Sequence, residues 1–278
     1  MRDLKKILVG LNVLTVLGCS HGTTKGLSGR EVQISGPVKL EINNEAGHTE
    51  VTHYRYDSIK DTHDERKIRV KREEVVDFKT KSVVTSSKGT GEVDVRMETF
   101  EKDGEMDLND LSFPEKGEAI DFVMDRASNV IKAGNYPPES IFFVQPVPLP
   151  PQAVSKGDTW EIEQGWLSRN NGMPLKLDII GILTKFVECG ENDRCADIEI
   201  SGKVTVPTGL VKATLESKVE GHLLFALRGG LVVWSEIRTH EKLITADEKV
   251  LIGSCMESIL DQPRAYESGK QKPFCTPK

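Results

Sequence analysis

The chain has 278 residues, of which 37% are apolar, 29% charged and 6% aromatic, the balance of a globular protein with one large or two modest domains. Its formal charge is -6 and its basic residues are scattered, which argues against a nucleic-acid partner, since phosphate contacts need clustered Lys and Arg. Beyond residue 19 no apolar run reaches the roughly 20 residues that a membrane-crossing helix takes.

The N-terminus reads as a targeting segment. "MRDLKK" is a short basic stretch, and "ILVGLNVLTVL" is an apolar run of secretory length. The run ends "VLGC". Val16, Leu17, Gly18 and Cys19 resemble the lipobox of bacterial lipoproteins. The resemblance implies a lipoprotein signal peptide over 1–18, with Cys19 acylated and becoming the mature N-terminus. Ser20, where an Asp would imply inner-membrane retention, implies the outer membrane, facing the periplasm or the cell surface. A plain secretory signal with Cys19 as a bystander is the alternative. Residues 19–30 are rich in Gly, Ser and Thr and read as a flexible tether.

From residue 31 the dominant period is two. "EVQISGPVKLEI" alternates at Val38, Leu40 and Ile42, and "KIRVKREEVVDF" puts Ile68, Val70, Val76 and Phe78 on one face. "EVDVRMET" follows with Val93, Val95 and Met97, and "EKDGE" turns the chain. "AIDFVM" and "VIKAG", joined by "DRASN", complete an N-terminal β-rich half over 31–135. Six of the 13 prolines fall between Pro137 and Pro151, so residues 136–157 read as an extended crossover through which no central strand can run. Within it "PPESIFFVQ" is the best candidate for a short helix, near 138–145.

"LPPQAVSKGDTWEI" (Leu149 to Ile162) is the most distinctive internal segment. It is similar to a "P-x-x-x-V-x-x-GDTW" stretch in uncharacterised exported β-rich lipoproteins. Its physical reading is a tight turn at Gly157-Asp158 that delivers Trp160 to the core face. The competing reading makes Trp160 and Trp166 an aromatic ligand wall. The C-terminal half, 158–262, alternates more clearly. "DTWEIEQGW", "PLKLDIIGILTKFVEC", "CADIEISGKVTV", "LVKATLESKVEGHLLFAL" and "LVVWSEIRTHEKLIT" are separated by short turns, which makes them antiparallel neighbours.

With Cys19 assigned to lipid, four cysteines remain in a compartment that permits disulfides. Cys189 and Cys195 bracket "GENDR", and a hairpin would set them opposite each other. Elimination then pairs Cys255 with Cys275 and clasps the tail 263–278 to the last strand. The expected fold is all-β. It is a meander of strands on the order of 10–17 residues, against the usual ~5–6, curling into strongly bent sheets or open half-barrels.

No residue pattern points to catalysis, to a cofactor or to a metal. His48, His53 and His63 lie near Asp57, Asp61 and Asp64, but the spacing matches no standard site. Ser235, Glu236 and His240 lack the G-x-S-x-G elbow. The expected role is therefore non-catalytic: a lipid-anchored binder or carrier of an apolar, lipid-like ligand. An assembly protein that binds another envelope protein is the alternative, and a hydrolase is the weakest reading.

Overall fold

The computed structural model describes residues 29–64, 69–145, 147–169, 172–190, 193–207, 214–244 and 248–261. The expected signal peptide over 1–18, Cys19, Cys275 and the tail 263–278 lie outside the described residues. The strands are β1 (Glu31–Val32), β2 (Thr49–Asp64), β3 (Arg69–Ser87), β4 (Val93–Asp103), β5 (Ala119–Met124), β6 (Val130–Ala133), β7 (Thr159–Leu167), β8 (Pro174–Gly190), β9 (Asp193–Thr205), β10 (Thr214–Ala226), β11 (Leu231–Ile244) and β12 (Glu248–Leu260). They form one antiparallel sheet of 12 strands in the order β1-β8-β9-β10-β11-β12-β2-β3-β4-β5-β6, with β7 extending the β1 edge of β8. The two β-rich halves of the sequence thus share a sheet. Their seam is the β2–β12 ladder, in register from Glu248 opposite Asp64 to Leu260 opposite Thr52.

Alternation decides which side chains face inward. Cross-strand partners share a face, so the ladders define continuous inner rows. One row runs Leu183, Ile198, Leu223, Ser235, Ser258, Tyr54, Phe78. The next runs Trp160, Gly181, Ile200, Gly221, Ile237, Met256, Tyr56, Val76. These rows lie towards the lower end of the sheet, where β8 turns into β9 and β10 into β11.

The lower interior is filled by chain that belongs to no strand. The proline-rich crossover contributes Leu149 and Val154, and residues 38–42 contribute Leu40, to a buried cluster with Trp160, Leu183, Ile198 and Phe225. Residues 38–42 alternate as a strand would, yet they pair only through the isolated Val38–Val154 bridge. Their backbone then bonds to turns instead: Ile42 N donates to Arg126 O and Asn43 N to Gly230 O, both at 2.8 Å. Gly230 has φ +63°, and a Cβ there would lie 2.5 Å from Asn43 N, so glycine is what lets the turn sit against this segment.

The crossover also spans the gap between the two sheet edges, β6 and β7, which are not bonded to each other. Phe142 is buried against Ile120, Phe122 and Ala133 on the β6 side. On the β7 side Leu167 N donates to Glu139 O at 2.7 Å and Gln145 N to Gln164 Oε1 at 2.6 Å. The helix expected near 138–145 is a single 3₁₀ turn, Ile141–Phe143, capped by Ser140. Prolines at 137, 138 and 146 confine it, since the residue before each proline is pushed away from helical geometry. A second 3₁₀ turn, Leu108–Leu111, brings Leu108 and Phe113 over Val76 and Phe78. There Tyr54, Phe78 and Phe113 form a trio with ring centroids 4.7 to 5.0 Å apart.

The expected bridge is present: Cys189 and Cys195 are disulfide-bonded, with Cα atoms 5.7 Å apart. Cys255 is also disulfide-bonded; its expected partner, Cys275, lies outside the described residues.

Candidate functional site

The two aromatic residues singled out in the sequence have different fates. Trp160 is 4% exposed, and its Nε1 donates to Pro148 O at 2.8 Å. It is a core residue and not a ligand wall, because the crossover closes over it. Trp166, two turns of the pleat further along β7, is only half-buried. It lines a concavity of about 480 Å³ together with Gln164, Leu175, Leu167, Pro207 and Glu139.

That concavity is the β7 end of a larger surface. Above the filled interior the inner face continues in three more rows. The first is Ile162, Ile179, Gly202, Val219, Thr239, Ser254, Ser58, Glu74. The second is Gln164, Leu177, Val204, and then, across β10 to β3, Ser217, Glu241, Ile252, Lys60, Arg72. The third pairs Trp166 with Leu175, and Leu215 with Leu243, Val250, Thr62 and Val70. Leu175, Leu177, Leu215, Ile237, Leu243 and Ile252 are only half-buried, although all point to the inner side.

The face has an apolar side and a hydroxyl side. From β7 to β10 it is almost wholly apolar. On β11, β12 and β2, hydroxyls pair across strands: Ser235 with Ser258 and Thr239 with Ser254, each at 2.6 Å. Burial pushes the Tyr56 hydroxyl up, with the Ser254 and Ser58 hydroxyls acting in the opposite sense and the Glu241 carboxylate adding to the rise. Glu241 stands where the two sides meet. Burial alone raises its pKa, and it makes no ion pair or side-chain hydrogen bond among the described residues. Sequence reasoning missed Glu241. Its signal is an acidic residue in phase with Ile237, Thr239 and Leu243 along an alternating strand.

The outer face carries His53 and His63, while His48 precedes β2 and meets Glu50, which is in phase with the inner-facing Tyr54. His53 Nε2 lies 2.5 Å from Asp77 Oδ1, His48 Nε2 lies 3.2 Å from Glu50, and His63 Nε2 lies 3.3 Å from Asp61. Asp61 is also gripped by Arg69, so each histidine is held by its own carboxylate and not gathered into one site. Among the described residues no group of three or more His, Cys, Asp or Glu is arranged to hold a metal ion. Ser235 points inward while Glu236 and His240, one and five residues on, point outward, so these three do not form a triad. A second groove, of about 850 Å³, lies over β4 to β6 and is lined by Asp94, Glu118, Asp121, Lys132 and Tyr136. Val95, Ile120 and Phe122 share its lining, but polar surface outweighs apolar surface there, the reverse of the Trp166 concavity. No protein-family model matches the chain, and no curated protein matches it at a significant level.

Proposed function

We propose that this is a bacterial envelope lipoprotein, held at the outer membrane through an acylated Cys19, whose β body binds or carries an apolar, lipid-like ligand without chemistry. The observation that carries the reading is the upper part of the inner face, which no other described residue covers. The crossover, residues 38–42 and the loop through Phe113 fill the lower interior, while Leu175, Leu177, Leu215, Leu243 and Ile252 stay half-open above them. Each of these side chains would gain on the order of 1 kcal/mol from completing its burial against a ligand. Apolar surface of this extent, rimmed by Lys60 and Arg72, is the ordinary mark of a binding face.

The test is native mass spectrometry of the purified protein, with displacement of an environment-sensitive apolar dye. A co-purified lipid, and dye binding abolished by Leu215→Asp or Leu243→Asp, is the expected result. A protein that carries no lipid and binds no dye overturns the reading. For the anchor, Cys19→Ala is expected to move the protein from the membrane to the soluble fraction.

A second reading, an envelope protein partner, draws on β3. Residues 69–74 pair with β2 on one side and have no ladder partner on the other among the described residues. Val70 and Val75, 47% and 48% exposed, flank this edge. Photocrosslinkers placed at 70 and 73 that capture one defined envelope protein would favour that reading, as would their failure when Lys71→Pro blocks strand addition.

A further inference from the structure

The inner face is not uniformly greasy: at the meeting of its two sides stands Glu241, which has no ion pair or side-chain hydrogen bond among the described residues. Glu241 is flanked across the ladders by Ser217 and Ile252, and along its own strand by Thr239 and Leu243. The Ser217 hydroxyl is already committed to the Val204 backbone, donating to its carbonyl at 2.7 Å. Among the described residues the inner-facing cation in its row is Lys60, beyond Ile252, so roughly 10 Å away at the ordinary strand spacing. No described side chain of β10 or β12 that faces this carboxylate is charged. Tyr56, Lys60, Arg72 and Glu74 are the other titratable or charged groups on that side of β2 and β3. A carboxylate half-withdrawn from water with no cation costs stability, and such a charge is kept where a ligand completes it.

We propose, resting on the carrier reading above, that Glu241 is the polar anchor of the inner face and that its ligand is an amphiphile with a cationic ammonium head. The head sits against Glu241 at the seam between the two sides. The chain runs over Leu215, Leu243 and Leu175 towards the Trp166 concavity. Thr239, Ser254 and Tyr56 offer oxygens to whatever hydroxyls the head bears.

The experiment compares dodecylammonium, dodecanol and dodecanoate, titrated below their micelle concentrations into the full chain carrying Cys19→Ala, which needs no detergent. The ammonium is expected to bind about tenfold or more tighter than the alcohol, with dodecanoate weakest. Glu241→Gln should bring the ammonium down to the alcohol's affinity and leave the alcohol unchanged, while Glu220→Gln, on the outer face, changes neither. Ammonium affinity should fall as pH drops through the raised pKa of Glu241, and that of dodecanol should stay flat. Glu241→Gln should also melt no lower than the parent, which shows that the lost preference is not lost folding. Dodecanol binding without a preference for the ammonium head, or a preference that survives Glu241→Gln, overturns this inference and leaves the carrier reading standing. If none of the three binds, both fall.

Discussion

The Trp160 indole occupies the space that a side chain at Gly181, its partner across the β7–β8 ladder, would need: a Cβ there would lie 2.4 Å from Trp160 Cε2 and 2.7 Å from Nε1. The pair locks the crossover to the sheet, because the same indole donates to Pro148 O. Gly181→Ala should therefore displace the ring and cost about 1–3 kcal/mol, the usual penalty for overpacking. The measurement is the urea midpoint, read together with tryptophan emission. An unchanged midpoint would refute this packing.

Cys189 and Cys195 close a loop with a sequence separation of 6 at the tip of a hairpin already held by the β8–β9 ladder. Such a loop yields only about 2 kcal/mol through chain entropy. Replacing both cysteines by serine should lower the unfolding free energy by that amount or less and leave the fold intact by far-UV circular dichroism.

His222 lies with its Nδ1 3.8 Å from Asp197 Oδ1, between Glu199 and Glu236 on the neighbouring strands. Asp197 first, and then the two glutamates, hold its pKa above the ordinary histidine value against the opposing effect of burial. His48 is raised in the same direction, chiefly by Glu50. A raised histidine stabilises the folded state fully below its unfolded pKa of about 6.5, and that contribution is lost as pH rises through the folded value. The stability difference between the parent and His222→Asn should be largest near pH 5.5 and should shrink towards pH 8.5. A difference that grows with pH would contradict the assignment.

The outer face of the free β3 edge is occupied by Lys71 and Glu73, paired at 2.6 Å. Charges on an open strand discourage pairing with another copy. The double substitution Lys71→Val and Glu73→Val would join Val75 in a continuous apolar stripe. It should shift the protein to dimers or larger species by sedimentation velocity at concentrations where the parent shows less association.

The strands that sequence reading located are those whose inner positions are uniformly aliphatic. Leu177, Ile179 and Leu183 on β8, and Val219, Leu223 and Phe225 on β10, announce themselves by period alone. β2 does not. Its inner face is Tyr54, Tyr56, Ser58, Lys60 and Thr62, and its histidines and aspartates draw the eye as a metal cluster while they serve as outer-face partners. Residues 38–42 err the other way: their alternation is real, but they line the interior and do not join the sheet, because Leu40 is buried by elements remote in sequence. The curved sheet and the Cys189–Cys195 bridge follow from local pattern. The inner rows do not, since a row is fixed by registers between strands as far apart as β2 and β12; the phase of Glu241 is legible along its own strand, but the neighbours that face it are known only once its row is.

The seam between β2 and β12 also sets an order of assembly. A chain is made from its N-terminus, so β2 and β3 can form their hairpin early, but the other edge of β2 waits for Glu248 to Leu260, among the last strand residues to appear. Residues 38–43 likewise dock only when Val154 and the turn at Gly229 and Gly230 have been made. Contacts of such long sequence separation form slowly and leave strand edges open in the meantime. Loss of the last thirty or so residues would accordingly not trim the sheet at its margin. It would take out a central strand and leave β11 and β2 facing an empty slot, so C-terminal truncation should be far more damaging than truncation of the short edge strand β1.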